Sequence, residues 1–141
     1  MSADLQWAIL RNHSSFLVRK RKGTQGDLTS EPGNLTQINS FKFSGLANTK
    51  TVGLTVENKK VVLTTKKLKG TNKPKSANSS SQLNKHMVGG SCRAAETINK
   101  LVSGNQYRAD LAKFAVARYH ALHKSLETKP APKKRRVAKQ A

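Results

Sequence analysis

Arg19-Lys20-Arg21-Lys22 stand side by side, directly after the apolar triplet Phe16-Leu17-Val18. Four adjacent cations repel one another unless an anion lies against them. The anion that presents repeated negative charge along a chain is the phosphate backbone of nucleic acid. The same chemistry recurs in Arg11, Lys42, Lys50, Lys66, Lys67 and Lys69, in Lys73 and Lys75 flanking Pro74, in Lys85 and Arg108, and in Lys133-Lys134-Arg135-Arg136 near the C-terminus. Across 141 residues, 27 Lys and Arg face 7 Asp and Glu, a net charge of +20. Self-repulsion of that size disfavours a compact chain until a polyanion neutralises it. These residues are therefore the candidate nucleic-acid contacts, the lysines as point charges and the arginines as bidentate partners for phosphate.

Other chemistries find little support. His120 and His123 lie one turn apart on an expected helix, but Glu127 is their one acidic neighbour and no HExxH pattern is present, so they read as surface histidines. Cys92 lies near a helix start but has no partner histidine pattern and reads as an inert small residue. Gly89-Gly90-Ser91 precedes a helix but lacks the P-loop lysine and the dinucleotide spacing. The acids are scattered, with no pair placed for general acid–base work. No enzyme, metal or cofactor is expected.

Positioning such charges needs a scaffold, and the pattern predicts an α+β fold. It has a short leading helix, a small N-terminal antiparallel β-sheet, two C-terminal helices and a basic tail. Ser2 is a cap and Asp4 a favourable first-turn charge for a helix bearing Leu5, Ala8 and Ile9. Phe16 to Arg19 reads as a strand, and residues 23–33 as a Gly/Pro/Thr/Ser loop. Residues 39–45 alternate, with Phe41 and Phe43 to one side, and predict a half-buried strand. Those rings are read as one side of a core, a base-stacking platform being the other possibility. Residues 51–56 and 61–65 predict a hairpin joined by Glu57-Asn58-Lys59-Lys60.

The organisation follows as a β-rich RNA-binding domain over 1–69, a basic polar linker over 70–90, a helical segment over 91–128 and the tail over 129–141. The linker is nearly all Thr, Asn, Lys and Ser to residue 82. It should be mobile alone, as a tether or as a segment that folds along RNA. Ser91 is the expected cap of a helix with Ala94, Ala95, Ile98, Leu101 and Val102 on one stripe, stopped by Gly104. Asp110 opens the last helix, with Leu111, Phe114, Ala115, Leu122 and Leu126 on one broad face, ended by Pro130 and Pro132.

A single cysteine fits a reducing compartment. No apolar run approaches the ~20 residues of a membrane span, and residues 1–5 lack the basic and apolar regions of a signal peptide. Pro132 to Val137 looks like a nuclear-import signal. A DNA-binding protein would share the charge, but no helix-turn-helix, zinc finger or basic zipper appears. A membrane-surface protein would gather its cations on one helix face, and here they are spread along the chain.

Several blocks resemble one family in combination: Leu5-Gln6-Trp7, Arg11-Asn12, Ser14-Ser15-Phe16-Leu17, residues 29–35 (Thr-Ser-Glu-Pro-Gly-Asn-Leu), residues 39–46 (Asn-Ser-Phe-Lys-Phe-Ser-Gly-Leu), Lys50-Thr51-Val52-Gly53 and Tyr107-Arg108-Ala109-Asp110-Leu111. The family is the eukaryotic large-subunit ribosomal proteins of family twenty-eight, eukaryotic type. The similarity covers most of the chain in order; residues 70–90 and the tail match only in basic character. Where the family pattern commonly has proline, this chain has Ala109, which keeps the helix start but loses its stiffening. Residues 89–93 carry fewer cations than the resemblance implies.

The resemblance implies a structural constituent of the large ribosomal subunit. Its partners would be large-subunit ribosomal RNA, neighbouring ribosomal proteins and import receptors during nuclear entry. It would work in the cytoplasm after nuclear and nucleolar transit, without membrane contact or catalysis. A nuclear ribosome-assembly factor carries a related domain, but is longer, with further cysteines and an acidic region.

Overall fold

Ser2 stands in extended backbone and its hydroxyl accepts the Leu5 amide, which starts a helix, α1, over Ala3–His13. The computed structural model describes residues 2–18, 27–70, 73, 76–83 and 92–126. Asp4 lies in the first turn of α1 and Arg11 and His13 in the last, each opposite in sign to the helix end it faces. No residue of α1 is buried. The helix rests on the rest of the chain through Trp7, whose ring is 6.0 Å from that of Phe41, and through the Arg11 carbonyl, which accepts Asn39 Nδ2 at 2.9 Å.

Two-residue strands β1 (Leu17–Val18) and β2 (Leu28–Thr29) pair antiparallel, and Leu28 also bridges to Ile38. The main sheet has the order β3-β4-β5, all antiparallel, with β3 Val52–Glu57, β4 Lys60–Lys66 and β5 Asn78–Leu83. The predicted hairpin forms, but its turn is tighter than expected. Glu57 pairs with Lys60, leaving only Asn58 and Lys59 in the turn, at φ 48° and 60°. Two successive left-handed residues make the mirror-image turn that matches strand twist. Asn tolerates that conformation; Lys59 adopts it because the ladder on either side demands it.

The third strand differs from the linker expectation over residues 78–82. Ser, Asn and Gln bury too little to order themselves, but β4 offers a free edge. Six residue pairs form along it, from Val61 with Leu83 to Lys66 with Asn78. Backbone pairing supplies what composition lacks.

Val52, Leu54, Val61, Leu63 and Leu83 lie on one face of this sheet and meet the helices there. α2 (Arg93–Asn99) runs into a wider π turn at Lys100–Gly104. A single 3-10 turn at Ala109–Leu111 then leads into α3, Ala112–Leu126. Ile98, Val102 and Ala115 are fully buried and Tyr119 is 1% exposed, so helices and sheet share one apolar cluster. Burying a side chain such as Ile98 or Leu63 contributes roughly 1.5–3 kcal/mol.

Two helix boundaries differ from expectation. The residue before α2 is Cys92, whose side chain makes no capping bond, and Ser91 lies outside the described residues. Gly104 is not the left-handed stop. It lies within the π turn, and the positive φ, 49°, falls on Gln106.

Residues 39–45 form turns rather than a strand. Their carbonyls are taken locally: Ser40 O accepts Phe43 N and Ser44 N, and Asn48 Nδ2 donates to Phe41 O at 2.7 Å and Ser44 O at 2.9 Å. The alternation of Phe41 and Phe43 therefore has a different meaning. Phe43 packs edge-on against Phe114, with centroids 5.0 Å apart, while Phe41, 36% exposed, lies by Trp7. Only one of the two rings joins the core.

Side chains pin the same loop from within. The Glu31 carboxylate accepts from Asn34 Nδ2, Ser44 Oγ and Gly45 N. Asn34 Oδ1 accepts the amides of Thr36 and Gln37, and its amide donates to Ile38 O. Gly33, at φ +82°, lies between Gly45 and Gly53, so loop backbone packs directly on backbone of β3.

Candidate nucleic-acid interface

The structure brings the predicted cations into two groups. The first lies where β4 ends and the connection to β5 begins. Lys67, Lys69 and Lys73 are exposed there, and Lys66 is half-buried, with Nζ donating to Asn48 O at 3.1 Å. Lys67 N donates to Ala77 O at 2.7 Å, one residue beyond the Lys66–Asn78 pair that ends the ladder.

The second group surrounds Phe114. Lys42 Nζ is 5.2 Å from that ring's centroid and 5.7 Å from that of Phe43, and Lys113 Nζ is 5.5 Å from Phe114. Each such contact holds an ammonium in place by roughly 0.5–1 kcal/mol while leaving it wet. A shallow groove runs beside them, rimmed by Lys42, Asn99, Asp110 and Lys113. Lys113 was not among the sequence-derived candidates, nor were the exposed Lys59 and Lys60 at the hairpin tip. Lys113 neighbours Lys42 only because the core brings Phe43 onto Phe114, which no local pattern announces.

Arg11 is exposed on α1. Arg19, Lys20, Arg21, Lys22, Lys75, Lys85, Lys133, Lys134, Arg135 and Arg136 lie outside the described residues.

Arg108 does something different from what its charge suggested. Nε and Nη2 grip the two oxygens of Asp110 at 2.9 Å each, Nη2 also donates to Lys42 O at 2.9 Å, and Nη1 donates to Lys50 O at 3.1 Å. Four of its five N–H donors are thus engaged inside the protein. Arg108 holds the backbone of two other candidates, Lys42 and Lys50, rather than standing free itself. Lys50 Nζ in turn lies 5.7 Å over the Tyr107 ring.

The bond from Arg108 holds the Asp110 carboxyl below its ordinary value of 3.8, with burial opposing and the charges of Arg108 and Lys42 adding. A depressed folded-state pKa contributes stability that is complete above the unfolded value and is lost as pH falls through the folded one. Asp110 is 42% exposed at the side chain, so solvent screens the pair to under about 1 kcal/mol. Asp110→Asn is expected to cost that much at neutral pH. The deficit should shrink as pH falls below 3.8, as read by urea unfolding at both ends.

Tyr107 closes the start of β3 against the end of β4. Its hydroxyl donates to Lys66 O at 2.7 Å and accepts Thr51 N and Lys66 N, each at 3.1 Å. Burial pushes its pKa up, against the backbone amides and Arg108, so the phenol stays neutral and keeps its donor. Tyr107→Phe leaves those backbone groups without the hydroxyl and is expected to cost about 2 kcal/mol, measured by chemical unfolding. An unchanged midpoint would show that water replaces it.

Of the residues set aside earlier, His120 is exposed and stacks edge-on against Tyr119, with centroids 5.5 Å apart; His123 lies 5.8 Å from the same ring. Among the described residues no cluster of His, Cys, Asp and Glu is arranged to hold a metal, and no helix is long and apolar enough to cross a membrane.

Fold and surface together define a small, strongly basic α+β protein whose described cations lie on helices, turns and strand ends around one shared core. The chain belongs to the Ribosomal L28e protein family, whose model matches residues 5–125. It is 31% identical over 129 residues to "Large ribosomal subunit protein eL28" of Dictyostelium discoideum, covering 91% of each chain. It is 38% identical over 111 residues to the protein of that name in Caenorhabditis elegans, covering 77% of this chain and 86% of the relative. Its counterpart in Schizosaccharomyces pombe is 33% identical over 133 residues, covering 92% and 96%.

Proposed function

We propose that this protein is a structural constituent of the large ribosomal subunit that binds ribosomal RNA through phosphate contacts and catalyses nothing. The observation that carries this reading is a net charge of +20 on a member of a ribosomal protein family. Phosphate contacts position a protein without reading sequence, so recognition rests on RNA shape. Lys42, Lys50, Lys66, Lys67, Lys69, Lys73 and Arg11 supply contacts from the described fold, and Lys113 joins them at Phe114. Arg108 is a positioning residue for Lys42 and Lys50. Arg19 to Lys22, Lys75, Lys85 and Lys133 to Arg136 extend the same chemistry. Neighbouring ribosomal proteins share the subunit surface, and import receptors read the basic tail during nuclear and nucleolar transit to cytoplasmic ribosomes. The assembly-factor reading has no specific observation behind it.

Sedimentation of the tagged protein from a lysate tests this reading. It should travel with large subunits, monosomes and polysomes, and stay with the large subunit when magnesium is withdrawn. Confinement to nuclear precursor particles, or to the top of the gradient, would overturn it. Changing Arg19, Lys20, Arg21 and Lys22 together to Gln should lower incorporation in competition with the normal protein.

A further inference from the structure

Strand β5 is built unlike the other two strands of its sheet. Ala77 and Leu83, 7% and 8% exposed, anchor its ends. Asn78, Ser79, Ser80, Ser81 and Gln82 between them are all exposed, although alternate residues point to opposite faces. Ser81 shares the core face with its partner Leu63, yet is itself exposed. One edge of β5 pairs with β4; the other has no strand beside it among the described residues.

Open edges are normally guarded by a lysine, a proline or a bulge. Between Ala77 and Leu83 there is no charge and no proline, and the register with β4 runs without interruption. What is displayed is a strip of hydroxyls, amides and backbone groups, every one able to hydrogen-bond and none able to bury. The strip starts beside the first lysine group, since Asn78 pairs with Lys66 and Ala77 O accepts Lys67 N.

We propose that β5 is a second, uncharged RNA contact, in which Asn78, Ser79, Ser80, Ser81, Gln82 and the open backbone edge bond the sugar–phosphate edge of large-subunit ribosomal RNA. The lysines at its start draw in the polyanion. The strip then supplies donors and acceptors that match ribose 2′-hydroxyls, which both donate and accept, as well as phosphate oxygens. An added protein strand would need pockets for its alternate side chains, and small polar residues exposed on both faces offer none. This assignment rests on the ribosomal reading above.

The test is filter binding to purified large-subunit ribosomal RNA across a salt series. The variants are Ser79→Ala/Ser80→Ala/Ser81→Ala and, as the conservative partner, Ser79→Thr/Ser80→Thr/Ser81→Thr. The alanine variant is expected to bind about tenfold more weakly at every salt concentration, with an unchanged salt slope, because no counterion-releasing contact has been removed. The threonine variant, which keeps the hydroxyls and suits a strand, is expected to bind like the wild type. Circular dichroism confirms that both are folded.

Unchanged affinity in the alanine variant overturns the proposal while the ribosomal reading stands. So does a weaker affinity with a shallower slope, which would mean a disturbed lysine contact. Normal RNA affinity combined with lost incorporation into subunits would mean that a protein strand occupies the edge. If the wild type neither binds this RNA nor sediments with large subunits, the ribosomal reading itself has failed and the assignment falls with it.

Discussion

Gly45→Ala is expected to lower the stability of the protein by about 3 kcal/mol, at the upper end of what overpacking usually costs, and the melting temperature by roughly 10 °C. A Cβ at this position would run into Pro32 O and stand 3.1 Å from the backbone of Gly33. No rotamer relieves that clash, because both sides of the contact are backbone. The loop must lift, and lifting it pulls Gly45 N from the Glu31 carboxylate and Gly33 from its place over Gly53. Gly104→Ala is the matched control. Its Cβ would meet nothing closer than Asn99 O at 4.0 Å, inside a helical turn where alanine is the better residue. Thermal unfolding followed by circular dichroism separates the two. If Gly45→Ala melts with the wild type, the backbone stack is not what holds residues 31–47 on the sheet.

The second large effect is on RNA affinity. Under the function proposed above, Lys67→Gln/Lys69→Gln/Lys73→Gln binds large-subunit ribosomal RNA with a log–log salt slope shallower by about 2–3, since each lost phosphate contact removes roughly 0.7–0.9. All three side chains are exposed, so the fold should not feel their replacement. Affinity falls most at low salt, and the curves of variant and wild type converge as salt rises. That behaviour is opposite to the uniform weakening expected of the serine variants in β5, so one salt series tells charged from neutral contacts. A slope equal to that of the wild type would mean these lysines face solvent in the complex.

Part of this architecture was legible in residue order because its causes are local. Ser2 capping α1, the alternation of Val52, Leu54 and Val56, and the stripe of Ala94, Ile98 and Val102 each depend on neighbours within a turn or a strand. The blocks that marked the family were legible for another reason. Glu31, Gly33, Asn34, Gly45, Tyr107 and Arg108, all within those blocks, are held by backbone fit or by hydrogen bonds, several of them to distant parts of the chain. Where the reading failed, a distant partner had intervened. Residues 39–45 have strand alternation, but Asn48 and Arg108 capture their carbonyls and leave turns. Residues 78–83 have the composition of a linker, but β4 pairs with them.

Charge followed the same division. Residue types and their short-range order were enough to establish that this protein carries a large positive excess and that its scaffold mixes helix and strand. Those properties are sums or short-range periodicities, and sums do not depend on folding. How far each cation is engaged inside the protein depends on long-range packing. Arg108 is drawn inward by Asp110 and by the carbonyls of Lys42 and Lys50, Lys66 is tied to Asn48, and Lys42 is joined by Lys113 across the Phe43–Phe114 contact. A side chain's availability depends on what the chain brings beside it from far away, and that information appears only when the core closes.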